Sequence, residues 1–306
     1  MRAPKAGRLT RSQKIAEARG SRDGVKVVKG VPADPATEAW YTRQLTTFVA
    51  AMRRDIEKVL VAQVRQKEEL FTKDSKRARI VLAVLDSFVD DFAASIKLLR
   101  DRWTLGNLAA LRLASGFVGR MDAATKAKLE KGVGKAMGVD VAQIAKSEGL
   151  TTALDASIRS NVQLIQSIPA EYLDKIERII NTETIKRRSG TSIIEQIRAV
   201  YPVTENRARF IARDQSAKVN GDITRERQTA TGVRGYRWRT VGDGAVRESH
   251  KERNGKVYAW NPEDVGKRLD SGEVMLDPEA DDIGHPGEDY QCRCEAEAIL
   301  ELDRLI

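Results

Sequence analysis

Apolar side chains recur every three or four residues over long stretches of the sequence, and this spacing constrains the fold more than any other feature. It places the apolar residues on one face of a helix. The first two such series are Leu45, Phe48, Met52, Ile56, Val59 and then Val81, Leu85, Phe88, Phe92, Ile96, Leu99. Polar residues 73–75 between them predict a turn, so we expect an antiparallel helical hairpin. The two faces could bind a partner helix, but packing in a core is the better interpretation.

The second half of the chain begins with helical spacing and ends without it. We predict helices up to Pro169, from Gly190, and over residues 206–229. Residues 235–241 then alternate apolar and basic side chains, as a half-buried strand does, and residues 256–260 are a candidate partner strand. The predicted fold class is therefore α+β and predominantly α.

The predicted elements divide the 306-residue chain into three segments. Residues 1–36 form a basic arm, residues 37–154 an N-terminal helical bundle or hairpin, and residues 155–306 a small, loop-rich α+β domain. No apolar run is long enough to predict a membrane span, and the first thirty residues lack the apolar stretch of a secretory signal. Two cysteines separated by one residue do not make a disulfide framework, which favours a reducing compartment.

Charge is concentrated at the two ends of the chain, with opposite signs. Residues 1–30 contain two acidic residues and nine basic ones, which are Arg2, Lys5, Arg8, Arg11, Lys14, Arg19, Arg22, Lys26 and Lys29. With few apolar residues to bury, the arm is predicted to be disordered when unbound. It is a candidate for binding nucleic acid phosphates or an acidic protein surface, although a solvated tail with no dedicated partner has the same composition. Residues 260–306 contain fourteen acidic and four basic residues.

The chain has two histidines and two cysteines, and they are His250, His285, Cys292 and Cys294. Two imidazoles and two thiolates can hold Zn²⁺ tetrahedrally, so these residues are a candidate structural zinc site. Two alternatives stay open. The histidines could instead hydrogen-bond to acidic neighbours such as Asp243 or Asp289 while the cysteines pack as small side chains. One thiol could also have a redox or catalytic role.

Four further residues are predicted to shape the loops around these candidate ligands. Asp243 and Arg247 are expected to form an orienting salt bridge, with phosphate binding by Arg247 as the alternative. Gly255 and Pro286 are assigned structural roles in the same loops.

Two aromatic residues of the predicted strand, Tyr236 and Trp238, alternate with Arg237 and Arg239. Together they could stack on single-stranded bases and bind the phosphates. Because alternate residues of a strand face opposite sides of a sheet, we instead expect the rings in the core and the arginines in solvent.

Several segments in the second half of the chain, taken in order, resemble the C-terminal domain of the phage Mu F-like minor head proteins. They are Asn161–Pro169, Arg209–Gln215, Val246–His250 and His285–Cys294, with Lys218, Asn220, Gly232, Val233, Trp238, Asp243 and Gly255 between them. The resemblance spans about residues 160–297, and the segment from His285 to Cys294 is its most distinctive part. This chain has additional residues between Pro286 and Cys292 that the family's shorter form lacks.

The resemblance implies a structural, non-enzymatic protein of tailed-phage heads or of a prophage-derived particle. Family members are similar in being minor capsid components that associate with the portal during head assembly. The implied partners are the portal protein, a major capsid or scaffolding protein, and packaged double-stranded DNA. The implied location is the virion, in the head interior or at the portal vertex, after assembly in the host cytoplasm.

Two other classes of function compete with this one. A metal-dependent nuclease built on His250 and His285 needs an open metal position, and four protein ligands would leave none. A DNA-binding zinc domain is disfavoured by the acidic residues beside the candidate site, because they would repel a duplex within a Debye length of about 8–10 Å. The resemblance does not cover the first half of the chain, so the functions it implies concern the second half alone.

Overall fold

The computed structural model describes residues 25–66, 78–104, 107–137, 148–186 and 190–301. Helices account for most of these residues, and a four-stranded antiparallel sheet completes the fold, which confirms the predicted α+β, predominantly α class. The helices are α1 (Pro35–Ile56), continued by a π-helical turn (Glu57–Val61), α2 (Ala62–Gln66), α3 (Ala78–Thr104), α4 (Asn107–Met137), α5 (Glu148–Ile185), α6 (Gly190–Ala230) and α7 (Glu248–Arg253). The strands are β1 (Val25–Val28), β2 (Gly235–Arg239), β3 (Val257–Ala259) and β4 (Glu295–Glu301).

The chain divides into two compact units, each made of separate stretches of sequence. The sheet unit comprises Met1–Glu38, Phe117–Ser157 and Asp214–Ile306, and the helical unit comprises Ala39–Gly116 and Ile158–Arg213. Two of the divisions fall close to the predicted boundaries after residues 36 and 154, and two further ones lie inside α4 and α6. Each unit is therefore discontinuous in sequence.

The helical unit has a core of aliphatic and aromatic side chains from α1, α2, α3, α5 and α6. Its buried members are Met52, Ile56, Leu60, Val61, Val64, Phe92, Ile96, Leu99, Tyr172, Leu173, Ile176, Ile180, Ile193, Ile194, Ile197 and Val200. The apolar faces predicted from the spacing thus pack in a core, as expected. The predicted turn at residues 73–75 and the side chains of Val81, Leu85 and Phe88 lie outside the described residues.

Two polar contacts show that the segment formed by α1 and α2 runs antiparallel to α3. Gln63 of α2 donates to Ser95 at 2.7 Å, whereas Arg102 donates to Asp55 of α1 at 3.0 Å. Residue numbers rise along one segment as they fall along the other. The antiparallel pairing predicted for the hairpin is therefore confirmed for these residues.

Two prolines lie inside helices instead of ending them. α5 continues through Pro169 and α6 through Pro202, so the helix end predicted at Pro169 is wrong and the predicted helix at residues 206–229 is part of a longer one. A proline inside a helix costs about 3 kcal/mol. Burial of Ile168 and Tyr172 on either side of Pro169 offsets this cost, at roughly 1.5–3 kcal/mol for each apolar side chain. Within the described residues, no helix is both long and apolar enough to cross a membrane.

The sheet has the strand order β1-β4-β2-β3, and all neighbours are antiparallel. The strands predicted at residues 235–241 and 256–260 are present as β2 and β3. β4 lies between β1 and β2, with Tyr236 opposite Ala298 and Val28 opposite the same residue on its other side. The sheet core contains Tyr236, Trp238, Tyr258 and Trp260, all buried.

β1 corrects the prediction that the whole arm up to residue 36 is disordered. Residues 25–28 pair with β4, and Lys26 donates to the carbonyl of Ala136 in α4 at 2.9 Å. The signal was short, since only Val25, Val27 and Val28 are apolar and the basic residues around them dominate the composition. Lys26 and Lys29 therefore belong to the folded unit, whereas the seven other basic residues of the arm lie outside the described residues.

Candidate metal centre

Helix α7 holds His250 against the sheet. His250 is 2% exposed, and its ring meets the ring of Trp238 edge-on with centroids 5.7 Å apart. After α7 the chain turns at Gly255, whose φ of +84° lies in the left-handed region that glycine adopts freely. The N–H of Gly255 donates to the carbonyl of Trp238 at 2.8 Å. Gly255 thus lets the chain turn from α7 into β3, which pairs with β2.

The two cysteines lie in the turn that leads into β4. Gln291, which precedes them, has a φ of +54°, and its N–H donates to Asp214 of α6 at 2.8 Å. The N–H of Cys292 donates to the carbonyl of Asp289 at 3.1 Å, and the N–H of Cys294 donates to the sulfur of Cys292 at 3.4 Å. The turn is tied to α6 and folded so that both sulfurs lie on its inner side.

Three of the four predicted ligands converge in one cluster. Nδ1 of His250 lies 3.4 Å from the sulfur of Cys294 and 3.7 Å from the sulfur of Cys292. The three ligand atoms all lie within 4.8 Å of one another. On the other side of the ring, Nε2 of His250 lies 2.8 Å from Oδ2 of Asp289. The hydrogen bond to Asp289 and the approach to the sulfurs, which were alternatives in the sequence, therefore occur together.

His285 does not join this cluster among the described residues, and this corrects the predicted four-ligand set. Its Nδ1 lies 3.0 Å from the hydroxyl of Tyr236, and its ring packs on Trp260 with centroids 5.0 Å apart. Burial, reinforced by Arg225 and Arg253, lowers its pKa to about 3, so the ring is neutral at physiological pH. The segment directly after His285 packs closely on α6.

The two thiols and the imidazole of this cluster have pKa values that are shifted in different directions. The pKa of Cys292 is lowered because its sulfur accepts hydrogen bonds from the Cys294 thiol, the His250 ring and two backbone N–H groups. The pKa of Cys294 is raised by the same bond to Cys292 and by burial. The bond to Cys292 is also the main reason that the pKa of His250 is raised, with Asp289 adding to the effect. The cluster thus favours one thiolate beside a charged imidazole.

Two salt bridges hold the cysteine turn, and neither is the predicted one. Arg247 pairs with Asp289 at 2.6 Å, and Asp243 pairs with Arg293 at 2.5 Å. The predicted bridge between Asp243 and Arg247 is therefore wrong, because each residue has a closer partner in the cysteine turn. Arg247 also donates to the carbonyl of Tyr290, so its guanidinium has two partners within the cysteine turn.

Tyr236 and Trp238 are fully buried in the sheet core. Their rings have no exposed face on which a base could stack, so the expected core position is confirmed. Arg237 and Arg239 extend from the other face and pair with Glu273 at 3.0 Å and Glu297 at 3.3 Å.

Arg253 is a structural residue that the sequence-based predictions missed. It is 3% exposed and donates to the carbonyls of Gly284 and Pro278, both at 2.8 Å. Its guanidinium also pairs with Asp281 and lies over the ring of Trp238, 4.9 Å from the centroid. One buried side chain therefore fixes the loop before His285. Its neighbours in sequence are ordinary charged residues, so no local signal marks it.

Gly221 is a second missed residue. A Cβ atom there would lie 2.6 Å from the carbonyl oxygen of Pro286, and a Cβ atom on Gly287 would lie 2.7 Å from the carbonyl oxygen of Ala217. α6 and the loop at Pro286 thus approach backbone to backbone, which gives Pro286 its structural role. A glycine inside the helical pattern is the available signal, since such a residue usually has a packing reason.

The arrangement can do two kinds of chemistry. Two thiolates and one imidazole can bind a soft divalent metal. Cys292, His250 and Asp289 also stand in the order of nucleophile, base and orienting carboxylate. Cys292 is, however, only 2% exposed. Burial therefore favours binding and structural roles over reaction with a substrate.

Comparison with known proteins identifies a family that matches this region of the sequence. Residues 174–297 match the family described as Phage Mu protein F like protein. A Haemophilus influenzae protein described as uncharacterized is 30% identical over 279 residues, which cover 89% of this chain and 55% of that protein. The chain thus spans about half the length of the relative it matches. No solved structure matches the chain.

The described residues form a mostly helical fold with a small sheet, and a buried loop cluster is cross-tied beside that sheet. Residues 174–297 are a Phage Mu protein F-like region, and the resemblance predicted from the sequence is confirmed. The four sequence-predicted ligands and their neighbours all lie inside the matched residues.

Proposed function

We propose that this protein is a minor capsid protein that takes part in head morphogenesis of a tailed phage or a prophage-derived particle. Its place is the head interior or the portal vertex, and its partners are the portal protein and a major capsid or scaffolding protein. The family match at residues 174–297 is the observation that carries this proposal. Assembly takes place in the host cytoplasm, before the particle is complete.

The roles of the matched residues support a non-enzymatic function. Four of the matched residues are buried and contact neighbouring loops or elements. They are His250, Arg253, Gly287 and Cys292. They hold α7, the loop at Pro286 and the turn before β4 together, as a rigid binding module requires. In an enzyme, we would expect such residues to line an accessible cleft.

The charge distribution supports contact with packaged DNA. Residues 1–24 carry seven basic and two acidic residues, and these precede the first strand of the sheet unit. Lys and Arg side chains on such a segment neutralise phosphates without reading the base sequence. The acidic residues after position 260 suit contact with basic protein surfaces instead of DNA.

A nuclease is the second candidate, and one observation favours it. With His285 elsewhere, the cluster offers three protein ligands, which is the number that catalytic zinc sites use. The argument that four protein ligands close the site therefore no longer excludes a nuclease. The burial of His250 and Cys292 is the evidence against it, because a scissile phosphate must reach the metal.

The proposal is tested in the phage or prophage that encodes the chain. We expect the protein in purified particles, and we expect a strain with an early stop codon to make empty or aberrant heads that the intact gene restores in trans. Co-expression with the portal protein should allow the two to be purified together. Absence from the particles, together with normal heads in the mutant, would contradict the proposal. Cleavage of plasmid DNA by the wild type but not by His250→Gln would show a nuclease instead.

A further inference from the structure

We propose that His250, Cys292 and Cys294 bind one divalent metal ion of the zinc class, with Asp289 orienting His250. The site joins α7, the loop before the cysteines and the start of β4, which are separate in the sequence. The proposal rests on the geometry of these four residues and is independent of the proposed function. It replaces the four-ligand set suggested by the sequence with three ligands and a positioning residue.

The distances between the ligand atoms fit a shared tetrahedral metal. Zinc binds imidazole nitrogen at about 2.0–2.1 Å and thiolate sulfur at about 2.3 Å, which places a nitrogen and a sulfur ligand about 3.5 Å apart. Nδ1 of His250 lies 3.4 Å from one sulfur and 3.7 Å from the other. A single N–H cannot point at both sulfurs with good geometry, whereas one metal ion between the three atoms satisfies all of them.

Asp289 selects the ring nitrogen that faces the sulfurs. Its Oδ2 lies 2.8 Å from Nε2 of His250, so the neutral ring donates its proton there and turns the lone pair of Nδ1 toward the cysteines. Asp289 is itself held by Arg247 at 2.6 Å, and its Oδ1 accepts the N–H of Tyr290 at 2.7 Å. A carboxylate that fixes a histidine in this way is the common second partner of zinc ligands.

The ligand types determine the class of metal. Two thiolates and an imidazole favour zinc over magnesium or calcium, which prefer oxygen ligands. The sulfur of Cys292 also accepts the N–H of Cys294, a bond that stabilises a metal thiolate. Among the described residues no fourth His, Cys, Asp or Glu ligand joins the cluster, which leaves one coordination position for a water molecule. Cys294 is only partly buried, and solvent can reach the cluster from its side.

The test uses the full-length protein, made in zinc-supplemented medium without a histidine tag. We expect about one equivalent of zinc per chain by elemental analysis, as for a folded structural site. Titration of the metal-free protein with Co²⁺ should give a thiolate-to-cobalt charge-transfer band that saturates at about one equivalent. Because this readout uses the wild type, it does not depend on whether a variant folds.

Four variants assign the ligands. Cys292→Ser and Cys294→Ser should lose the zinc, and Asp289→Asn should keep all three ligands but bind zinc about 10–100-fold more weakly. His285→Gln is the matched control, since it removes a buried histidine outside the cluster and should retain the metal. Wild-type protein without zinc and without a cobalt band would overturn the proposal in favour of a metal-free imidazole–thiolate pair. Retention of zinc in both cysteine variants would also overturn it.

Discussion

At the scale of single residues, a close approach between α6 and the loop at Pro286 decides which side chains are allowed there. At Gly221 of α6 and at Gly287 of the facing loop, backbone atoms of the other segment fill the space that a Cβ atom would need. These backbone atoms cannot rotate away as a side chain could. Packing at this point therefore depends on the absence of two methyl groups. The cysteine turn follows a few residues later, so a displacement of the loop would also move the candidate ligands.

We predict that Gly221→Ala destabilises the protein although alanine is the better helix former. Its Cβ would meet the carbonyl oxygen of Pro286 at 2.6 Å, and overpacking of this kind costs about 1–3 kcal/mol. Gly119→Ala in α4 is the matched control, because nothing lies within 4 Å of the added atom. That variant should be stabilised by roughly 0.5–1 kcal/mol. Urea unfolding of both variants measures the difference, and equal shifts would contradict the predicted close approach.

Asp222 provides a prediction of pH dependence. Burial, reinforced by Glu288, raises its pKa to about 6, so the folded protein keeps this proton to a higher pH than the unfolded chain does. The free energy of unfolding contributed by Asp222 is therefore largest near pH 4 and falls as the pH rises through about 6. At about 1.4 kcal/mol per pKa unit, the loss is on the order of 2–3 kcal/mol.

Asp222→Asn should remove this dependence. Relative to wild type, the variant should gain stability above about pH 6 and show no such gain near pH 4, because the penalty for ionising a buried carboxyl disappears. Thermal unfolding of both proteins across this pH range measures the difference. A constant difference between the two proteins at every pH would contradict the assigned pKa.

At the scale of elements, local spacing predicted which segments are helical but not where the helices end. Pro169 has a strong local preference to end a helix, yet Ile168 and Tyr172 on either side of it are both buried. Tyr172 packs in a core whose other members include residues far away in the sequence. The same reasoning explains β1, because four residues with little apolar content form a strand only through pairing with β4. The salt-bridge partners in the candidate site likewise come from distant parts of the sequence. Arg247, for example, pairs with Asp289.

Phe92 tests whether the apolar face of α3 is a core element. It is 2% exposed, and Phe92→Ala should lower the free energy of unfolding by about 3–5 kcal/mol. Leu98→Ala on the same helix is the matched control, since Leu98 is 69% exposed and its replacement should change stability by no more than about 0.5 kcal/mol. Urea unfolding followed by circular dichroism distinguishes them. Similar values for the two variants would indicate that the face binds a partner instead.

At the scale of the whole molecule, the basic arm is distinguished from the folded units by its excess of positive charge. We predict that removal of residues 1–24, which leaves β1 intact, weakens binding to double-stranded DNA and makes the affinity less dependent on salt. For every phosphate that the arm neutralises in the wild type, the truncation should reduce the slope of log affinity against log salt by about 0.9. A full-length variant with the seven arginines and lysines of this segment replaced by glutamine should behave like the truncation. Equal salt slopes for wild type and both variants would show that the arm does not bind DNA.

The strand order also determines when the sheet can form during protein synthesis. Of the four described strands, β4 is the last to be made, yet it lies in the middle of the sheet and pairs with β1, which is the first of the four. A ribosome must therefore complete nearly the whole described chain before β1 and β2 find their common neighbour. Contacts between such distant residues form slowly, and unpaired strand edges are prone to aggregation while they wait. A nascent chain interrupted before residue 295 would lack the strand that joins the sheet, and would be a substrate for chaperones or proteases rather than for assembly.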